Sequence, residues 1–179
     1  MKKVIVFFAD GTEEIEALTV VDVLRRAGAE VTVAGVGSNT PTGSHGIRIE
    51  ADVRERALSG DFDMVVLPGG MPGAKNLEAS ACVDATLRRV AEAGGFLTAI
   101  CAAPLVLGRR GYLRGKRAIC YPGFESELKG AEIAGEKVCR DGNIITAAGP
   151  GAAMAFALAL TEALFGAEKA SALRSSMLV

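Results

Sequence analysis

Cys101 is the residue of this chain whose setting promises the most chemistry. It follows the apolar run Phe96-Leu97-Thr98-Ala99-Ile100 and precedes Ala102-Ala103-Pro104, so the chain must turn from strand to helix at this point. Pro104 suits the first turn of that helix, where a missing N–H costs nothing. A corner of this kind is strained and presents its side chain to a cleft, with backbone N–H groups aimed back at the sulfur. Those donors and the positive helix end favour thiolate over thiol, and can bring a cysteine well below its free value of about 8.5. The sequence therefore predicts a nucleophilic thiolate at Cys101, with small Ala102 and Ala103 leaving room for a substrate. Cys82 falls in a helical pattern, Cys120 in a strand and Cys139 in a hairpin, where a free cysteine serves as a small buried hydrophobe.

The second chemical feature is acidic. Glu13, Glu14 and Glu16 crowd the start of a helix, where each carboxylate gains about 0.3–1 kcal/mol from the helix dipole. At about 100° per residue, however, Glu16 shares a stripe with Val20, Val23 and Ala27, while Thr19, Asp22 and Arg26 form the polar side. Glu13 also leans toward the apolar half. A carboxyl group in apolar surroundings has a raised pKa and stays protonated, and a neutral acid is what a neighbouring thiolate requires. It can donate a hydrogen bond to sulfur and then shuttle a proton. Spacing alone does not separate Glu16 from Glu13.

The elements that must position these groups alternate along the chain. Strands are predicted at Lys3–Ala9, Glu30–Val36, Asp63–Leu67, Phe96–Ile100 and Arg117–Tyr121, and Ile47, Ile49, Ala51 and Val53 alternate as on a half-exposed strand. Val138–Arg140 and Asn143–Thr146 flank Asp141-Gly142, a hairpin turn signal. Helices are predicted over Thr12–Ala27, ended by Gly28, over Ala79–Ala93, after Pro104, and from Gly151 to Phe165, with a last amphipathic one beyond. Gly37–Gly46 reads as a loop. Such alternation implies an α/β fold, a mostly parallel sheet with helices on both faces. In such sheets ligands bind beyond the carboxyl ends of the strands. Asp10-Gly11, Pro68-Gly69-Gly70, Cys101-Ala102 and the Gly149 loop would converge there.

The chain's 179 residues suit one domain, and half of them are apolar. A net charge of −1 without a basic stripe argues against nucleic acid as the main partner. The apolar run Val4–Ala9 is followed by Asp10, Glu13 and Glu14, so it reads as a first strand rather than a signal peptide. The apolar stretch Ala152–Leu160 falls far below the roughly 20 residues a membrane crossing needs, and a cytoplasmic location is expected. The cysteines form no C-x-x-C pair and no cluster with His45, the one histidine, so neither a zinc site nor a disulfide framework is expected.

Motifs spread over almost the whole chain resemble the ThiJ/PfpI superfamily in its Parkinson-disease deglycase (DJ-1-like) branch. They are Gly11-Thr12-Glu13-Glu14-Ile15-Glu16, Val21-Asp22-Val23-Leu24-Arg25-Arg26-Ala27-Gly28, Val65-Val66-Leu67-Pro68-Gly69-Gly70, Ala99-Ile100-Cys101-Ala102-Ala103-Pro104 and Gly149-Pro150-Gly151. The resemblance implies a flavodoxin-like sandwich that forms a homodimer. It picks out Cys101 as nucleophile, Glu16 as its hydrogen-bonding acid, and the N–H groups of Gly70 and Ala102 as an oxyanion site. Ala102 stands where the protease-like branch carries histidine, and Tyr121 where the deglycase branch often places one near the cysteine. His45 lies in a loop where relatives carry an arginine near the pocket, and Gly149 belongs to a loop at the same end.

Three chemistries follow from the resemblance and the residues together. The first is a glyoxalase or deglycase reaction on methylglyoxal, glyoxal or early glycation adducts, through a Cys101 hemithioacetal with Glu16 as shuttle and with no metal or glutathione. The second is redox sensing in a stress response, by oxidation of Cys101 to sulfinate beside Glu16. The third, peptidase or amidase activity, needs a general base at the sulfur, and no well-placed histidine is visible. Ile15, on the polar side of its helix by periodicity, is a candidate dimer contact.

Overall fold

The segment Val4-Ile5-Val6-Phe7-Phe8 carries no polar residue, as expected of a strand covered on both faces. In the computed structural model, which describes residues 1–179, it forms β1 (Lys3–Ala9) near the middle of a seven-stranded sheet. The other strands of that sheet are β2 (Glu30–Val36), β3 (Val53–Arg54), β4 (Met64–Leu67), β5 (Phe96–Ile100), β8 (Val138–Asp141) and β9 (Ile144–Ala147). Their order is β3-β2-β1-β4-β5-β9-β8, parallel throughout except for β8. A separate parallel pair joins β6 (Arg117–Ala118) to β7 (Glu132–Ile133).

Helices cover both faces. On one, α1 (Glu14–Ala27) packs against α5 (Ala153–Phe165) and α6 (Ala167–Ser176). On the other lie α2 (Gly73–Ala79), α3 (Ala81–Glu92) and the short α4 (Pro104–Arg109). Gly28 closes α1 in the left-handed region at φ 95°, as expected, whereas α3 starts at Ala81 rather than Ala79, capped by Ser80, which accepts from the N–H of Val83. No helix is long and apolar enough to cross a membrane.

Several expected elements are revised. The alternating run from Ile47 to Val53 is not a sheet strand, apart from Val53 in β3. Its alternation satisfies a local partner instead: Ile49 N–H donates to the Pro41 carbonyl, Ala51 N–H to Asn39, and Thr42 bridges Arg48. The predicted strand Arg117–Tyr121 shrinks to β6, because Ile119 N–H is taken by Thr146 Oγ1 and Tyr121 N–H by the Cys101 carbonyl. In the β8–β9 hairpin Asp141 pairs with Ile144, so the turn falls on Gly142-Asn143, one residue later than expected. Helix α1 starts at Glu14 rather than Thr12, and α2 was not anticipated at all.

The core runs through both layers, and Phe156 of α5 is wholly buried in it. Replacing Phe156 by Ala is expected to cost about 3–5 kcal/mol of unfolding free energy in urea titration. A loss under about 1 kcal/mol would show that α5 is not seated as described.

Candidate active site

Three strand ends meet where the sequence analysis placed the chemistry. β1 leads through Gly11 and Thr12 into α1, β4 leads into the Pro68-Gly69-Gly70 loop, and β5 delivers Cys101. The loops are interlocked at backbone distance. Gly70 has φ 84°, and a Cβ there would lie 2.4 Å from the Gly11 carbonyl oxygen and 2.5 Å from the Glu13 nitrogen. Glu13 N–H donates to the Gly69 carbonyl at 3.0 Å, fixing the glycine loop to the start of α1.

Cys101 sits at φ 64°, the left-handed region that a non-glycine residue occupies at a cost of about 1–3 kcal/mol. Hydrogen bonds on both sides hold it there: its N–H donates to the Ala147 carbonyl at 2.9 Å, and its own carbonyl accepts from Tyr121 N–H at 2.8 Å. The elbow thus turns the sulfur toward the β4 loop with only 9% of the residue exposed. The backbone N–H groups of Gly70 and Ala102 act on this sulfur and pull its pKa down.

The ambiguity between Glu13 and Glu16 is resolved by capping. Glu13 is the N-cap of α1, and its carboxylate accepts from the N–H of Glu16 at 2.8 Å. Glu16, one turn further, is completely buried, and its Oε2 accepts from Gly69 N–H at 2.8 Å. Cys101 and Glu16 press on the same glycine: a Cβ on Gly69 would lie 2.6 Å from Cys101 Cβ and 2.7 Å from Glu16 Oε2. The other oxygen of Glu16, Oε1, is sealed from solvent with no partner in hydrogen-bonding geometry.

Burial raises the Glu16 carboxyl to about 7, with the Glu13 charge adding to it and the Gly69 N–H and the Cys101 thiol opposing it. The thiol is pushed up to about 12, by burial first and then by the charge and hydrogen bond of Glu16, while the Gly70 and Ala102 N–H groups pull it down. This corrects the expectation of a freely ionised, low-pKa cysteine. The backbone dipoles act in the expected direction but are outweighed, because two anions cannot share this dry space. The pair therefore titrates as one unit that keeps a single proton between its two steps. An unpaired, buried carboxylate oxygen is costly, whereas a proton on Oε1 converts it into a donor toward sulfur.

The remaining sequence candidates fall on opposite sides of the sulfur. The Tyr121 ring packs on Gly149, where a Cβ would lie 3.2 Å from Tyr121 Cδ2. His45 is bound elsewhere: its Nδ1 lies 2.9 Å from Glu14 Oε2 and its side chain is 71% exposed. Glu14, read from sequence only as a dipole partner, is the organiser that reasoning missed. It accepts from Ser44 Oγ and from the N–H groups of His45 and Ile47, tying the Gly37–Gly46 loop to α1. Burial works against its charge, but the His45 bonds prevail and hold Glu14 at about 2. Glu13, Glu14 and His45 bring one donor atom each within 4.8 Å of one another, yet those atoms are already engaged in the contacts above. Cys82, Cys120 and Cys139 are free thiols away from this site, the last two buried.

A strained cysteine elbow beside a buried acid, on a doubly covered parallel sheet, defines a class of α/β proteins. A sequence profile of the DJ-1/PfpI family matches residues 2–163, and the chain belongs to that family. Among its relatives, Protein dj-1beta of Drosophila melanogaster is 40% identical over 182 residues, spanning 99% of this chain and 97% of the relative. Glutathione-independent glyoxalase DJR-1.2 of Caenorhabditis elegans is 33% identical over 167 residues, 92% of this chain and 89% of the relative. The solved structure of oxidised Toxoplasma gondii DJ-1 superposes with a TM-score of 0.96 at 38% identity, covering 99% of this chain and 98% of the other.

Thiolate absorbance in the ultraviolet tests the pair directly. The carboxyl is expected to lose its proton first, near 7, and the thiolate band to rise only toward about 12. Glu16→Gln, which removes the charge and hydrogen bond that hold the thiol up, should bring the band to lower pH, and a band unmoved by that change would show that the two groups do not interact.

Proposed function

We propose that the chain is a cysteine-dependent glyoxalase or deglycase that acts on reactive dicarbonyls, methylglyoxal and glyoxal, or on early glycation adducts. The observation that carries this reading is the completely buried Glu16 carboxyl packed with Cys101 against the same glycine, Gly69, at the strained elbow that ends β5. The relative named as a glutathione-independent glyoxalase supports the same reaction class.

Each step uses residues in place. Glu16 takes the proton of the Cys101 thiol as its sulfur adds to the aldehyde carbon of methylglyoxal, forming a C–S bond, and returns that proton to the oxygen to give a hemithioacetal. The role assigned to the Gly70 and Ala102 N–H groups is to stabilise the oxygen charge as it develops, where losing one donor costs ~10²–10³ in rate. Glu16 then takes the proton from the former aldehyde carbon and returns it to the neighbouring carbon as the enediol becomes a thioester. Water cleaves the thioester, releasing lactate and the free thiol. One carbon is oxidised and its neighbour reduced, so no external oxidant is needed. No imidazole is required either, in keeping with His45 being held by Glu14. The same reading includes a cytoplasmic homodimer, for which the 57% exposed Ile15 on α1 is a fitting contact.

Wild-type protein is expected to produce lactate from methylglyoxal. Cys101→Ser should reduce this to background, and Glu16→Gln should lower kcat by about 10²–10⁴. Lactate formed equally well by Cys101→Ser would end the proposal.

A second reading, redox sensing, is favoured by the contact of Cys101 with a protonatable acid that could donate to a sulfinate oxygen. Intact mass after mild peroxide should then show two oxygens added at Cys101. A persistently unmodified Cys101 would dismiss it.

A further inference from the structure

Beyond the sulfur, the carboxyl end of the sheet carries a recess of about 220 Å³ that the mechanism above leaves unused. Tyr121, Pro122, Ala148, Gly149 and Pro150 line it, and Lys137 is the one charged residue on its wall. The recess is tied to the nucleophile by two backbone links. Tyr121 N–H donates to the Cys101 carbonyl at 2.8 Å, and the Cys101 N–H donates to Ala147, the residue before Ala148, at 2.9 Å. Recess and oxyanion donors thus flank the sulfur, with Gly70 on the β4 side and Tyr121 on the β9 side.

The chemistry of the wall is unusual for an exposed surface. Tyr121 is one of few large hydrophobic residues left open to solvent, at 47%. Its ring is not free to swing into Gly149, because the two are in contact, and a Cβ at 149 would meet Tyr121 Cδ2 at 3.2 Å and Cε2 at 3.6 Å. An aromatic face, two prolines and two alanines offer flat apolar surface and few hydrogen-bond donors. Apolar space of roughly 150 Å³ is enough to take a benzene ring.

We infer that this recess is a side-group subsite that selects aryl-substituted 2-oxoaldehydes, with Tyr121 as the specificity-determining residue and Gly149 positioning its ring. The inference rests on the dicarbonyl reading and names the substrate class for it. With the aldehyde carbon on Cys101 Sγ, the group on the ketone carbon extends toward Tyr121 and stacks on its ring between Pro122 and Pro150. A methyl group reaches little of that surface. The reaction is unchanged: phenylglyoxal and water give mandelate, as methylglyoxal and water give lactate.

The test compares kcat/KM for phenylglyoxal and methylglyoxal in wild type, Tyr121→Ala, Tyr121→Phe and Gly149→Ala. The phenylglyoxal-to-methylglyoxal ratio should fall about tenfold in Tyr121→Ala, the size expected when an aromatic contact and its buried area are lost. It should be kept in Tyr121→Phe, which retains the ring, and should fall in Gly149→Ala, whose Cβ displaces it. A ratio unmoved by Tyr121→Ala, with methylglyoxal still turned over, overturns the subsite and leaves the glyoxalase reading intact. A readout without turnover separates the two claims. In Cys101→Ala protein, benzoylformate should bind more tightly than pyruvate and shift the Tyr121 ring resonances. If wild type turns over neither aldehyde while that preference is seen, the glyoxalase reading falls and the aryl subsite stands; equal binding of the two acids overturns the subsite.

Discussion

The arrangement turns on one electrostatic constraint: a thiol and a carboxyl share a dry space that tolerates a single negative charge. Glu16 is completely buried and Cys101 nearly so, and both are raised by that burial. Their charge is shared because water cannot screen it. The backbone supplies what solvent would have given: Gly69 donates its N–H to the carboxyl, and the Gly70 and Ala102 N–H groups pull the thiol down against its burial.

Holding those donors in place explains much of the surrounding fold. The Gly69-Gly70 loop can approach both α1 and Cys101 only because it lacks side chains, as the sub-3 Å distances to any added Cβ make plain. Glu13 contributes by capping α1, which keeps its carboxylate on a backbone N–H and away from the sulfur. Glu14 contributes by gathering the loop that carries Ser44, His45 and Ile47 over the helix start. Three neighbouring acids thus have three separate duties, set by their rotation around one helical turn.

How much of this was legible beforehand follows from the range of the interactions involved. The apolar strands β1, β2, β4 and β5 and the elbow at Cys101 are written in local pattern, and they stand as read. Glu16 and Glu13 could not be separated by spacing, because the deciding fact is which carboxylate the cap consumes. The run from Ile47 to Val53 alternates properly, but its partner lies a few residues upstream rather than in the sheet. The ionisation of Cys101 was misjudged because helix dipoles are visible in sequence, whereas the depth of burial and the proximity of a second acid are not.

The left-handed backbone of Cys101 has a meaning apart from its chemistry. Any residue with a β-carbon at that corner is strained there, and glycine alone would relax it. A lineage freed from the need for a sulfur would drift toward glycine and gain stability by doing so. The cost retained at this corner is therefore a signature of use: the fold keeps an uncomfortable residue where an easier one was always available.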